Sequence, residues 1–308
     1  MLNVLYNTNV IVPSQELAPV VRIAPFTNKD LYKRRATDEE LENCNVYLKN
    51  RFGNYAILPK ARTCIAECLQ FYGFGKGDVV TILTSSGKPY ISGCVTKTIE
   101  QFCEWSREIT PKTKLIFVNH EFGYPFKQWN IIKDLNIPII EDCAYAFGTE
   151  DSEIGKYSDF VIYSLPKFFP MQLGAILSIN TNAVICEDSV IKDYVLNVLS
   201  QEVSNIQYIK ERRIKNYNYL TKKLSSLGIK PYFYRDEDVI PGTFLFSWGN
   251  IDYPALRSFM ESNGIECSVF YGTDAFFIPL NQNLRTADLN YMIDLLTFYS
   301  NMIKNDIC

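Results

Sequence analysis

A lysine just beyond an apolar strand and beside aromatic residues loses part of its hydration. A desolvated ammonium releases its proton more readily, exposing an amine that can form an imine. Lys167 has that setting in DFVIYSLPKFFP, flanked by Leu165, Phe168 and Phe169, with Ser164 three residues before it. A second reactive group lies twenty-five residues upstream, where Glu141 and Asp142 close the apolar run of IPIIEDCAYAFG. A carboxylate there can bind a metal, act as a general base or pair with a cationic ring nitrogen; equally it can cap a helix or hold a salt bridge. The third signal is ARTC (61–64) at the head of a helical stretch, followed by TSSGKPY (84–90) at a strand end. Free N–H groups at a helix N-terminus suit a phosphate. Each signal alone has a bland reading: a surface lysine, a capping aspartate, an ordinary helix start.

These groups need a frame. The spacing predicts a helix over Asp38–Phe52 and another over 61–72, where Ile65, Cys68, Leu69 and Tyr72 share a face and Gly73 follows as a stop. Beyond it the chain alternates. DVVTILTS reads as a strand, CVTKTIEQFCEW as a helix, KLIFVNH as a strand, FKQWNIIKDLN as a helix and IPIIEDCA as a strand, with DFVIYSL and GAILSIN as two more short apolar runs. Strands rich in Val and Ile, apolar on both faces and separated by helices, imply an α/β fold with a mostly parallel central sheet covered on both faces. Functional groups in such sheets gather at the carboxyl ends of strands. That rule selects Thr84–Ser86, His120, Asp142 and Ser164. After about residue 182 the pattern changes: a helix through Tyr219–Leu224, then FLFSW, a helix in YPALRSFMESNG, a strand in IECSVFY and a last helix over Thr286–Ile303. The expected organisation is a lead-in segment over 1–45, a large α/β domain over 46–182, and a connecting helix with a small C-terminal α+β domain over 183–308.

Composition bounds the function. A net charge of −3 with no Lys/Arg run argues against a nucleic-acid partner. Nine cysteines, an odd number without tight pairs, read as free thiols in a reducing compartment, and no metal site is expected. His120 is the sole histidine, which excludes any mechanism needing two. The N-terminal stretch lacks a cationic start before a long apolar core, and no run reaches the roughly 18 apolar residues of a membrane span. A cytoplasmic protein without membrane contact is expected. The 20 Tyr and 20 Phe hint at large buried interfaces between domains or subunits.

The order EDCAYAFG, a glycine-containing link in EIGKYSDF, and VIYSLPKF resembles the strand–Asp–loop–strand–Lys signature of fold-type-I pyridoxal-phosphate enzymes, and among them the sugar aminotransferases of the DegT/DnrJ/EryC1/StrS family. VNHEFGYPF resembles that family's V-H-x-[YF]-G-x-P element, and NGIECSV with FFIPLNQNLRTADLNYMIDLL resembles its C-terminal ending. The likeness is best over 55–180 and 209–299. It implies pyridoxal 5′-phosphate as cofactor, with Lys167 as the Schiff-base lysine and proton shuttle. Asp142 would pair with the pyridine nitrogen, and Ser164 would bond the phosphate with the backbone amides of Arg62 and Thr63. By the same resemblance Tyr90 is the aromatic residue stacked on the ring, Tyr145 lies near the ring hydroxyl and His120 is the strand-end histidine, in packing or in contact with the cofactor. A homodimer with the active site at the subunit interface is implied as well.

The chain departs from the family at three places. Only about 30 residues separate Asn180 from Arg212, Leu173-Gly174 replaces a Gly-Gly, and Asn281 stands where a histidine is frequent. The reading that follows is an aminotransferase that moves an amino group, from glutamate, to a keto-sugar nucleotide or similar small carbonyl compound in cell-surface polysaccharide biosynthesis. Two alternatives stand beside it. A pyridoxal-phosphate lyase or dehydratase uses the same scaffold, although the family's sugar dehydratases replace the lysine by histidine. A degenerate, non-catalytic relative would retain the fold alone.

Overall fold

The alternating strands and helices of the sequence close into sheets in the computed structural model. It describes residues 19–306 together with two short paired strands, β1 (Asn3–Val4) and β2 (Ile11–Val12). The chain divides into two compact units.

The first unit comprises Phe26–Gln207 with Asp236–Ile240. It opens with α1 (Asp38–Phe52), whose start is fixed by a reciprocal cap. Thr37 Oγ1 accepts from the Glu40 amide at 3.2 Å, and a Glu40 carboxylate oxygen accepts from the Thr37 amide at 2.8 Å. Such caps are worth about 1 kcal/mol. There follow β3 (Tyr55–Leu58), α2 (Ala61–Tyr72), β4 (Val79–Thr84), α3 (Gly93–Ile99), β5 (Glu104–Ser106), β6 (Thr113–Asn119), β7 (Ile139–Asp142), β8 (Phe160–Ser164), β9 (Ala175–Ile179) and α4 (Ser189–Ser200). The sheet runs β3-β9-β8-β7-β6-β4-β5. β5, β4, β6, β7 and β8 are parallel to their neighbours, while β9 is antiparallel to both β8 and β3. Two reversals restore direction, so β3 ends on the same edge as β8.

Strand periodicity sorts the core. Leu115 and Phe117 of β6 join α2 and α3 on one face, with Ile65, Leu69, Val95 and Ile99. Ile116 and Val118 point the other way, onto Phe126, Trp129 and Ile132. α1 also lies on that second side, where Phe52 packs on Tyr163 and Phe147 at 5.2 and 6.2 Å between ring centroids. The mostly parallel α/β sheet with helices on both faces is as the sequence implied.

Two expected elements differ. The helix expected through CVTKTIEQFCEW stops at Ile99, and Glu104–Ser106 turns into the edge strand β5. The helix expected over FKQWNIIKDLN is a 3-10 turn, Trp129–Ile131, followed by further turns. Trp129 and Ile132 are buried while Ile131 and Leu135 stay exposed. Two buried residues three apart anchor one turn, and no longer apolar stripe exists to hold a helix.

The second unit gathers Met1–Pro25, Tyr208–Arg235 and Pro241–Cys308. Helix α5 (Ile206–Leu224) leads into it and is followed by β10 (Lys230–Pro231), β11 (Thr243–Ser247), α6 (Tyr253–Ser262), β12 (Ser268–Phe270), β13 (Ala275–Pro279) and α7 (Thr286–Asp306). An antiparallel sheet in the order β10-β11-β13-β12 packs Phe244, Phe246, Phe276 and Ile278 against Leu220, Leu256, Met260, Met292 and Leu296 of the helices. Strand β13 was not expected as a separate element. Its AFFIP is buried at every position and carries no alternation. Among the described residues no helix is long and apolar enough to cross a membrane.

Candidate active site

The carboxyl edge of the first unit's sheet collects the chemistry. Across it, in strand order, come the ends of β3, β8, β7, β6 and β4. The head of α2 is tied to the turn after β8 through Gly174, whose N–H donates to Pro59 O at 2.8 Å while its carbonyl accepts from the Leu165 amide at 3.0 Å. This joins residues more than a hundred positions apart. Gly174 has φ +127, and a Cβ there would lie 2.8 Å from Val195 Cγ2. The Leu173-Gly174 departure noted in the sequence thus retains glycine where the backbone conformation and the close contact both favour it.

Ser164 ends β8 half-buried, and Leu165–Lys167 continue as one 3-10 turn with proline inside it. That turn brings the Lys167 Nζ to 3.7 Å from the centroid of the Tyr145 ring. Tyr145 packs in turn against Phe122, with ring centroids 5.8 Å apart. Asp142 ends β7, and its Oδ1 accepts from the Ala144 amide at 2.9 Å. Burial pushes its carboxyl above the usual range, against the opposing pull of the Lys167 charge, the Ala144 amide and His120. Lys167, Asp142, Tyr145 and Ser164 therefore belong to one edge.

Helix α2 begins at Ala61 beside that turn. The Thr63 amide bonds to Lys60 O at 2.9 Å, whereas Ala61 and Arg62 are the first-turn residues whose amides have no intrahelical acceptor. The Arg62 side chain is exposed and donates to Cys94 Sγ at 3.3 Å. Tyr90 is half-buried in the segment between β4 and α3.

His120 is buried with both ring nitrogens engaged. Nδ1 accepts from the Phe126 amide at 3.0 Å, so the neutral ring carries its proton on Nε2, 2.8 Å from Glu141 Oε2. Glu141 Oε1 accepts from the Gly155 amide at 2.9 Å. These bonds fix the orientation of the His120 ring at the end of β6. Ligand atoms of His120, Glu141 and Cys143 lie within 4.8 Å of one another, and both imidazole nitrogens are already engaged there, Nδ1 with the Phe126 amide and Nε2 with Glu141.

Three residues of this edge escaped sequence reasoning. Asn119 is in register with Asp142 and donates to its Oδ2 at 3.5 Å. Glu121 is buried and accepts the Ser86 amide at 2.6 Å. Arg107 donates to Ile82 O, Thr84 Oγ1 and Lys88 O at 2.6, 3.2 and 2.7 Å. A signal for the first two existed in VNHEFG, where polar residues flank the strand-end histidine. Arg107 carried none, because it lies beyond an edge strand read as helix.

The chain's fold is that of the fold-type-I aminotransferases. The aminotransferase TlmJ from Streptoalloteichus hindustanus superposes with a TM-score of 0.71 at 12% identity, over 90% of this chain and 98% of that one. The sugar aminotransferase CalS13 from Micromonospora echinospora gives 0.66 at 15% identity, over 91% and 99%. NtdA from Bacillus subtilis, solved with the cofactor PMP bound, gives 0.67 at 13% identity, over 94% and 86%. Residues 101–201 match the DegT/DnrJ/EryC1/StrS aminotransferase family model, which bears out the resemblance read from the motifs. No curated protein matches the sequence.

Proposed function

We propose that this chain, with a match to the DegT/DnrJ/EryC1/StrS aminotransferases over 101–201 and the fold of their solved members, is a pyridoxal-phosphate-dependent sugar aminotransferase. The observation that carries this reading is the meeting of the Lys167 amine and the Asp142 carboxyl at one sheet edge beside the head of α2.

The residues present fit the cofactor. A carboxyl held where burial opposes its charge suits a protonated ring nitrogen, which supplies the compensating cation. The amine of Lys167 suits the cofactor's aldehyde carbon, and Ser164 with the first amides of α2 suits its phosphate. When bound, pyridoxal phosphate supplies an electron sink for the carbon that loses or gains a proton.

The chain's own residues do the rest. Asp142 keeps the ring nitrogen protonated, with Asn119 and the Ala144 amide fixing its two oxygens. The Lys167 amine would hold the cofactor by its aldehyde carbon and would carry the proton to and from the substrate carbon. Tyr145 lies under the amine and limits its swing. Tyr90 would cover the cofactor ring, and His120, tied to Glu141 and the Phe126 amide, would stiffen the floor. We place the amino donor as glutamate and the acceptor as a keto-sugar nucleotide in cell-surface polysaccharide synthesis, with a cytoplasmic homodimer as the working form.

The purified protein should be yellow, and borohydride should fix the cofactor irreversibly on Lys167, read by peptide mass. A protein that stays colourless with added pyridoxal phosphate sinks the proposal. Bleaching of the visible band by glutamate favours transamination over lyase chemistry.

A further inference from the structure

We propose that Glu121 is a positioning residue that clamps the segment 84–90, and with it Tyr90, over the site; this rests on the reading of Tyr90 as the residue that covers the cofactor ring. The segment leaves β4 and passes between two oppositely charged side chains. On one side Glu121 Oε2 takes the Ser86 amide at 2.6 Å. On the other, Arg107 takes Ile82 O, Thr84 Oγ1 and Lys88 O. Ser85 closes the joint by donating to Tyr124 O at 2.5 Å and accepting from the Glu121 amide at 3.2 Å.

Glu121 holds this place at a cost. Only 5% of its surface is exposed, and among the described residues Oε1 finds no hydrogen-bond partner within bonding geometry. An apolar side chain would avoid that desolvation penalty. What it would lose is the acceptor for the half-buried Ser86 amide. The next residue makes the link to the reactive lysine. Phe122 takes φ +54, a left-handed conformation that a bulky residue rarely adopts, and its ring packs on Tyr145, which lies under Lys167. One strained turn thus fastens the Tyr90 segment by its carboxylate and the floor beneath Lys167 by its ring.

The test compares Glu121→Leu with Glu121→Gln, whose amide oxygen still accepts from Ser86. In the cofactor-free protein, amide exchange over 84–90 should accelerate about ten-fold or more in the leucine variant and no more than about three-fold in the glutamine variant. The strands β6 and β7 should keep wild-type exchange in both. With pyridoxal phosphate added, the leucine variant should lose most of the induced visible circular dichroism that reports ring orientation, and the glutamine variant should keep it. If the leucine variant does not fold, Glu121→Ala replaces it, with the same expectations. Unchanged exchange over 84–90, equal effects of leucine and glutamine, or uniform acceleration across the sheet each overturn the clamp. A wild-type protein that binds no cofactor refutes the proposed function instead, while the exchange arm still decides the clamp.

Discussion

Gly174 offers the sharpest test of how the site is held. Alanine there meets two penalties. At φ +127 an L-residue is strained by about 1–3 kcal/mol. Its Cβ would also sit 2.8 Å from Val195 Cγ2, 3.2 Å from Leu165 Cδ1 and 3.3 Å from Met171 Sδ, and overpacking of that kind costs about 1–3 kcal/mol. The sum is about 2–6 kcal/mol against a total stability of about 5–15. Gly73→Ala is the control, because Gly73 has φ +67 but nothing within 4 Å of its would-be Cβ, so only strain of about 1 kcal/mol applies. Tryptophan fluorescence in urea can read the first unit alone in a Trp248→Phe background, which leaves Trp105 and Trp129 as reporters. With a slope of about 2–3 kcal/mol per molar, Gly174→Ala should lower the midpoint by roughly 0.7–3 M. Because Gly174 binds both Pro59 and Leu165, uptake of pyridoxal phosphate should weaken in parallel. If Gly174→Ala lies within about 0.5 kcal/mol of the control, the crowding argument is wrong.

Asp142→Asn should stabilise the cofactor-free protein. Burial raises the folded-state pKa of Asp142, so the stability it contributes is full below its unfolded value and is lost as pH rises through the folded one; the gap in melting temperature between variant and wild type should therefore open from pH 4 to pH 8, and a gap that closes instead refutes the sign. The same variant should bind pyridoxal phosphate at least about ten-fold more weakly in a fluorescence titration, since one charged contact is worth about 1.5–3 kcal/mol. Among the thiols the structure describes, rapid alkylation of the native protein should be confined to Cys94 and Cys186, because burial pushes up the thiols of Cys64, Cys68 and Cys143; peptide mass mapping reads this directly. Lys127→Ala should change stability by less than about 1 kcal/mol by urea titration, because its 2.7 Å pair with Asp151 leaves the lysine 59% exposed.

Much of the first unit was legible in its sequence because local and tertiary preferences agree there. Thr37 with Glu40 and Gly73 bound α1 and α2 at their observed ends. The apolar runs ending in Asp142 and Ser164 became parallel strands, and the carboxyl-edge rule then brought the polar ends together. Where the reading failed, tertiary context decided. Trp105 pairs with Val80 as a strand although its neighbours continue a helical pattern. Strand β13, with an unbroken apolar sequence, has no period to distinguish it from a buried helix. Glu121 stood next to the strand-end histidine as a polar residue, but nothing local says that a glutamate will be buried against an amide thirty-five residues away.

The antiparallel return of β9 has a consequence for how the chain is made. β3 finds its partner only when Tyr55 meets Ser178, some 120 residues later. At synthesis rates of about 5–20 residues per second, that partner emerges roughly 6–24 s after β3 itself. Until then α1, β3 and α2 hold an unpaired edge and an uncovered apolar face, and the head of α2 has no Gly174 to bind. The phosphate cradle proposed here is therefore among the last parts of the first unit to form on the ribosome. A chain that stalls before β9 exposes the segment most prone to pair with another copy.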